Sequence, residues 1–298
     1  MTALETQFPM MANRQLFKSA ILPGEDSVSF PSPRTAQQNL PGRLVSARFR
    51  LSACIGQHIG DRHEQQDRAG VFTSRRAAGC ALAVVADGMG GRTGGALAAE
   101  QVLTTSRALF DDFNPAHQSV ADLLAEIIRE AHTVIQLTAA TAEKEPHSTF
   151  AAMVVQQDVV SWAHVGDSRL YFFKGPKLEF RTTDHSYVEH LVKLGKLDRE
   201  GASRHRMGHV LTSALGTEKP PVVDFGETRN IAPGDSFLLC TDGLWHYFTD
   251  EELATMVAGG AAREVSESLV EHARYRARGK GDNCTFALMK LLDPDAAG

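Results

Sequence analysis

The sequence predicts a mixed α+β fold built on antiparallel sheets. Three observations carry that prediction: two long helical patterns come early, a block of short apolar runs joined by tight turns follows, and helical patterns return near the C-terminus. A parallel α/β protein would alternate strand and helix regularly, and this chain does not. No internal repeat is visible.

Taken in order, residues 1–46 hold Pro9, Pro23, Pro31, Pro33 and Pro41 among many Ser, Thr and Gln, without sustained periodicity. That composition predicts a mobile N-terminal extension. From Arg48 onward, apolar runs cover 49–57, 69–73 and 80–86. The last of these is apolar at each position, the pattern of a strand buried on both faces. A glycine-rich stretch follows and opens into a helix near Gly95, on which Ala98, Val102 and Leu109 share a face. A second helix is expected over 117–142, where Leu123, Leu124, Ile127, Ile128, Ala131 and Ile135 recur at helical spacing.

Strands at 149–155 and 159–165 flank Gln156-Gln157-Asp158, which reads as a hairpin turn, and another strand covers 169–173. Residues 184–197 read as a helix and 198–209, polar and basic, as a surface flap. Further strands are expected at 222–225, 237–240 and 284–291, with helices at 250–258 and 261–277. The structured domain is therefore 47–292, with a short tail at 293–298.

A hydrophobic share of 43% supplies a core, and a net charge of −5 argues against general affinity for nucleic acid or anionic membrane. Cys54, Cys80, Cys240 and Cys284 are widely separated in apolar runs, so they read as buried reduced thiols, not as disulfides or zinc ligands. No apolar run has the length of a membrane span, and the N-terminus shows no signal pattern. A cytoplasmic location is the expectation.

Five aspartates stand at the edges of apolar runs beside glycine or a turn: Asp67, Asp87, Asp167, Asp242 and Asp282. A lone Asp-Gly or Gly-Asp is most often just a turn. Five such carboxylates at strand ends, converging on a cleft, would make a site for a hard cation such as Mg²⁺ or Mn²⁺.

The ordered segments carry a resemblance. Arg62 to Asp67, Val85-Ala86-Asp87-Gly88-Met89-Gly90-Gly91, Gly166-Asp167-Ser168-Arg169, Thr183-Asp184-His185-Ser186, Leu211-Thr212-Ser213-Ala214-Leu215-Gly216, Thr241-Asp242-Gly243-Leu244 and Gly281-Asp282-Asn283 together resemble the metal-dependent protein phosphatase family, the protein phosphatase 2C type in its bacterial form. The resemblance runs from about residue 50 to 291. It implies a four-layer α+β sandwich, with two central antiparallel β-sheets flanked by α-helices. It also implies hydrolysis of phosphoserine and phosphothreonine in proteins by a metal-activated water at a two-metal centre. Carried over position by position, the resemblance implies that Asp87 bridges both ions, that the Gly88 carbonyl helps bind one, and that Asp242 and Asp282 ligate the other. Asp167 matches a ligand for a third, weaker ion. Gln66 and Asp67 support the waters on the metals, and Arg62 matches the arginine that grips phosphate, for which its planar fork is suited. Phosphorylated proteins, a serine/threonine kinase or its substrates, are the implied partners, and the chain is expected to act as a monomer.

Several positions depart from the family pattern. Gln66 stands where many eukaryotic relatives carry Glu, and Met89 where some carry a histidine proposed as general acid. His246 occupies a position often acidic, and the flap reads His205-Arg206-Met207-Gly208-His209 in place of the usual His-Pro-x-x-Asn. Rival readings fare worse. His63-Glu64-Gln65-Gln66-Asp67 begins like a zinc-protease helix but ends in Asp, and Asp87 at the mouth of the glycine-rich loop would repel a nucleotide phosphate. The alternative of another class is a catalytically weak phosphatase-fold module that binds phosphoproteins. Retention of Arg62, Asp87, Asp242 and Asp282 speaks against it.

Overall fold

Alternate side chains of a strand point to opposite faces, so a run that is apolar at each position needs a hydrophobic layer on both sides. The computed structural model describes residues 17–21, 29–31 and 47–294 apart from 75, 78 and 140–144, and gives β5 (Cys80–Ala86) that setting. Cys80, Leu82, Val84 and Ala86 pack under α1 (Gly91–Asp112) and α2 (Val120–Ala139). Ala81, Ala83 and Val85 face the other way, into the layer between two sheets.

The first sheet runs β12 (Asp224–Arg229), β9 (Val159–Val165), β8 (Phe150–Gln156), β5, β4 (Arg68–Thr73). The second runs β1 (Phe17–Ile21), β3 (Ala47–His58), β14 (Cys284–Leu292), β13 (Asp235–Cys240), β10 (Arg169–Lys174), β11 (Lys177–Arg181), with β2 (Ser29–Pro31) also on β3. The pairings in both sheets are antiparallel, and β6 (Gly88–Met89) pairs antiparallel with β7 (His147–Ser148) in a separate two-stranded ladder. In β13, Phe237 and Leu239 meet the inner layer, while Leu238 and Cys240 meet α6 (Asp250–Ala258) and α7 (Ala262–Ala277) through Leu253, Val257 and Leu269. The result is helices, sheet, sheet, helices: the four-layer α+β sandwich that the resemblance implies. Burial of a large apolar side chain contributes about 1.5–3 kcal/mol, so these three layers supply most of the stabilisation.

Element edges agree closely where side chains are apolar. Within the stretch expected to form the N-terminal extension, β1 and β2 pair with β3, and the remainder of 1–46 lies outside the described residues. The expected hairpin forms, with Gln156 opposite Val159 and Gln157 at φ 55 in the left-handed region. The predicted flap contains a short helix, α4 (Arg199–Ser203), capped by the Asp198 carboxylate, and follows α3 (Tyr187–Lys193). Helix α1 begins four residues earlier than the glycine run indicated. All four cysteines are buried and free, and burial pushes the Cys80 thiol up to about 12, which makes it unreactive. Among the described residues, no helix is long and apolar enough to cross a membrane.

Candidate metal centre

The strand ends gather the aspartates. Asp87 leaves β5, and its backbone is pinned on both sides: its N–H donates to Thr149 Oγ1 at 2.8 Å, and its carbonyl accepts from the Thr149 N–H at 2.9 Å. The next residue must be glycine, because a Cβ on Gly88 would lie 2.0 Å from the Gly95 carbonyl oxygen. That backbone contact holds the start of α1 against the site. Asp242 opens the one-turn helix α5 (Asp242–Trp245) directly after β13, and Asp282 stands just before β14. Gly243 lets these two segments touch, since its Cβ would meet the Asn283 carbonyl at 1.9 Å.

Asp67 precedes β4, is only 1% exposed, and accepts from Thr241 Oγ1 at 2.9 Å. Asp167 sits in the turn after β9, its carbonyl accepting from Trp245 Nε1 at 3.0 Å. Arg169 braces this corner: it forks onto Asp184 with two bonds of 2.7 Å, and its guanidinium lies 3.5 Å over the Trp245 ring. Arg62 contacts Asp282, and its side chain remains 61% exposed.

The loop that carries Arg62 is stitched to the loop that carries Asp282. Arg274 forks onto Asp61 at 2.9 and 2.8 Å, and the Gly281 N–H donates to the same carboxylate at 2.6 Å. The Gln66 N–H donates to Asn283 Oδ1 at 2.7 Å, while Asn283 Nδ2 donates to the carbonyls of Ile59 and Glu64 at 2.8 and 3.0 Å. The Arg274 fork and the Gly281 N–H hold Asp61 well below the usual carboxylate range.

The electrostatics run the other way inside. Burial, first of all, raises Asp67, Asp87 and Asp167 well above the ordinary carboxylate value and pushes Asp242 up to about 6. Mutual repulsion adds to it: Asp87 feels Asp67, Asp242, Asp167 and Asp282, and Asp242 feels Asp282 against the partial relief of His246 and Arg62. Carboxylates that oppose one another's ionisation, with oxygen donors only, fit hard divalent cations, whose charge removes the repulsion. Among the described residues, the only three metal-binding side chains whose donor atoms all lie within 4.8 Å of one another are elsewhere, His164, His185 and Asp224.

Arg62, Asp67, Asp87, Asp167, Asp242 and Asp282 thus come together, with Gln66 fastened beside them through its backbone. Of the nearby histidines, His246 adjoins Asp242, whereas His185 belongs to the separate cluster. Thr149, Thr241, Trp245 and Asn283 hold the centre in place and carried no prior assignment. Thr241 and Asn283 each adjoin a singled-out aspartate, the one signal that could have found them.

Comparison with known proteins follows the same lines. A family model described as protein phosphatase 2C matches residues 56–274. Protein phosphatase PhpP of Streptococcus pneumoniae is 30% identical over 241 residues, which span 79% of this chain and 95% of that protein. Serine/threonine protein phosphatase PstP of Mycobacterium tuberculosis is 32% identical over 225 residues, 73% of this chain and 42% of that longer protein. Among solved structures, the serine/threonine phosphatase of S. agalactiae superposes with a TM-score of 0.74 at 27% identity, covering 81% of this chain and 99% of that one. The catalytic domain of PstP, solved in complex with two manganese ions, gives a TM-score of 0.67 at 28% identity over 82% of this chain and 99% of that one.

Proposed function

The chain belongs to the protein phosphatase 2C family, and from that premise we propose how its residues divide the work of a metal-dependent serine/threonine protein phosphatase. Asp87, the Gly88 carbonyl, Asp242 and Asp282 would hold two Mn²⁺ or Mg²⁺ ions, with Asp167 serving a third, weaker position. When bound, the ions supply Lewis-acid charge at the phosphoryl oxygens and a nucleophilic hydroxide near neutral pH.

The rest falls to the side chains. Arg62 is paired with Asp282 and largely exposed, so a substrate phosphate, with its greater charge, competes for the guanidinium fork and is held in two-point contact. Thr241 keeps Asp67 oriented, and the Thr149 bonds keep the Asp87 backbone fixed, so the carboxylates need no reorganisation during reaction. Gln66 and Asp67 orient water at the edge of the centre. The buried thiols take no part, because burial raises Cys54, Cys80, Cys240 and Cys284.

The observation that carries this reading is the convergence of buried carboxylates, raised by burial and by each other, beneath one exposed arginine. A phosphoprotein-binding module would need the arginine alone, and nothing in the site favours it. Residues 47–292 are assigned as the catalytic domain, working as a monomer in the cytoplasm, with β1 and β2 of the preceding stretch added to the edge of its second sheet at β3. The substrates are phosphorylated proteins, with a serine/threonine kinase or its targets as the natural counterpart. The test is hydrolysis of a phosphothreonine peptide with Mn²⁺, with Mg²⁺ and with chelator, wild type beside Asp242→Asn. Metal-dependent release that collapses in the variant is expected. No release from folded wild-type protein with either metal would overturn the reading.

A further inference from the structure

We propose that His164, His185 and Asp224 form a separate metal site, for Zn²⁺ or a similar borderline transition ion, behind the turn that carries Asp167. The strand register brings the first and last together, since His164 of β9 stands opposite Asp224 of β12. His185 arrives from the segment after β11, where its N–H donates to the Gly166 carbonyl at 2.8 Å. One donor atom from each of the three lies within 4.8 Å of the other two.

Both imidazoles are buried, His164 at 2% and His185 at 7% exposure, and their rings stack with centroids 4.6 Å apart. His164 Nε2 donates to the Thr183 carbonyl at 2.9 Å, which leaves the lone pair on Nδ1. That Nδ1 is buried without a hydrogen bond, and so is His185 Nε2. Two buried imidazole nitrogens without hydrogen bonds, one of them fixed as an acceptor by a backbone carbonyl on its far side, match the way proteins prepare histidine for a metal. Burial also lowers the His164 pKa, which favours the neutral, ligating form.

The dimensions agree with the chemistry. Donors about 2.0–2.2 Å from a tetrahedral ion lie roughly 3.4 Å apart. His185 Nε2 and Asp224 Oδ2 are already at 3.3 Å, and a His164 donor lies within 4.8 Å of both residues' donors. Two imidazoles and one carboxylate select a borderline ion over the hard cations of the aspartate centre, and leave a fourth position to water. Occupancy also has a route to Asp167. The Gly166 N–H donates to His185 Nδ1 at 3.3 Å. Ligation through Nε2 displaces the ring proton, which solvent returns to Nδ1, and the Gly166 amide then loses its acceptor next to Asp167.

The test is a Co²⁺ titration of the full chain in saturating Mg²⁺, followed by visible absorption, with Zn²⁺ retained after dialysis as a second readout. Asp224 is exposed, so Asp224→Asn folds even if a buried histidine variant does not. Only signal that this variant removes is counted, because the aspartate centre is common to both proteins. Expected are an intense tetrahedral Co²⁺ band and about one Zn²⁺ per chain in wild type, with affinity falling at least about tenfold in Asp224→Asn and in His164→Asn. Identical spectra and identical Zn²⁺ content in wild type and Asp224→Asn would overturn the site.

Discussion

Asp242→Asn exchanges a charged carboxyl for a neutral amide of nearly the same shape, and its effect on the metal-free protein follows from the electrostatics of the site. At about 1.4 kcal/mol per pH unit, raising this carboxyl from 3.8 to about 6 corresponds to about 3 kcal/mol. Asp242 keeps a little exposed surface, so that figure is the upper end. The folded chain holds this proton more tightly than the unfolded chain. The metal-free fold is therefore most favoured at low pH, and the contribution is lost as pH rises through about 6. At pH 7.5 the whole cost is present in wild type, and at pH 5 roughly half of it. The amide has no such cost. Thermal unfolding in chelator, followed by circular dichroism, should place the variant about 6–12 °C above wild type at pH 7.5 and roughly half that at pH 5. Saturating Mn²⁺ should reverse the order, because wild type then gains an ion that the variant holds poorly. A variant no more stable than wild type in chelator at pH 7.5 would refute the reasoning. So would an equal gain at both pH values.

Three other outcomes are expected. Arg62→Ala removes a two-point phosphate contact worth about 1.5–3 kcal/mol, so kcat/KM for a phosphothreonine peptide should fall about 10- to 100-fold, mostly through KM; an unchanged KM counts against a phosphate role. Trp245→Phe keeps a ring under Arg169 but deletes the N–H that holds the Asp167 carbonyl at 3.0 Å, and should shift the Mn²⁺ activation curve to higher concentration; a superimposable curve removes the positioning role. Lys290 donates to the carbonyls of Val257, Gly259 and Gly260 at 2.9, 3.3 and 2.8 Å, at the C-terminal end of α6. Lys290→Met should cost about 1–3 kcal/mol in urea unfolding of the metal-saturated protein, because the buried Val257 carbonyl loses its charged donor, and a loss below about 0.5 kcal/mol contradicts that capping role.

Much of the molecule was legible where burial dictates side-chain chemistry. The all-apolar run of β5 announces its two covered faces, and its limits and those of β9 match the sequence reading residue for residue. The misses have local causes. β11, Lys-Leu-Glu-Phe-Arg, is an edge strand with little buried surface, so its charges hide its periodicity. β12 begins at Asp224, two residues after the apolar pair suggested, because the Val222 backbone N–H and carbonyl are both taken by Ser213 Oγ. The start of α1 is disguised by glycines, among them Gly95, which its contact with Gly88 requires, a tertiary demand with no local signature. The aspartates could be named from their strand-end positions, but their mutual repulsion belongs to the folded arrangement. The His164, His185 and Asp224 cluster is assembled from three distant segments and leaves no trace along the chain.

The place of β14 has a consequence for how the protein is made. This strand lies in the middle of its sheet, hydrogen-bonded to β3 on one side and β13 on the other, with Asp282 just ahead of it. At about 5–20 residues per second of synthesis, β3 waits about 10–50 s for its neighbour to leave the ribosome. During that interval the inner layer is open, and a polypeptide cut short before Asp282 has neither a closed sheet nor a complete set of carboxylates. Competence to bind ions therefore arrives only once Asp282 and β14 have been translated.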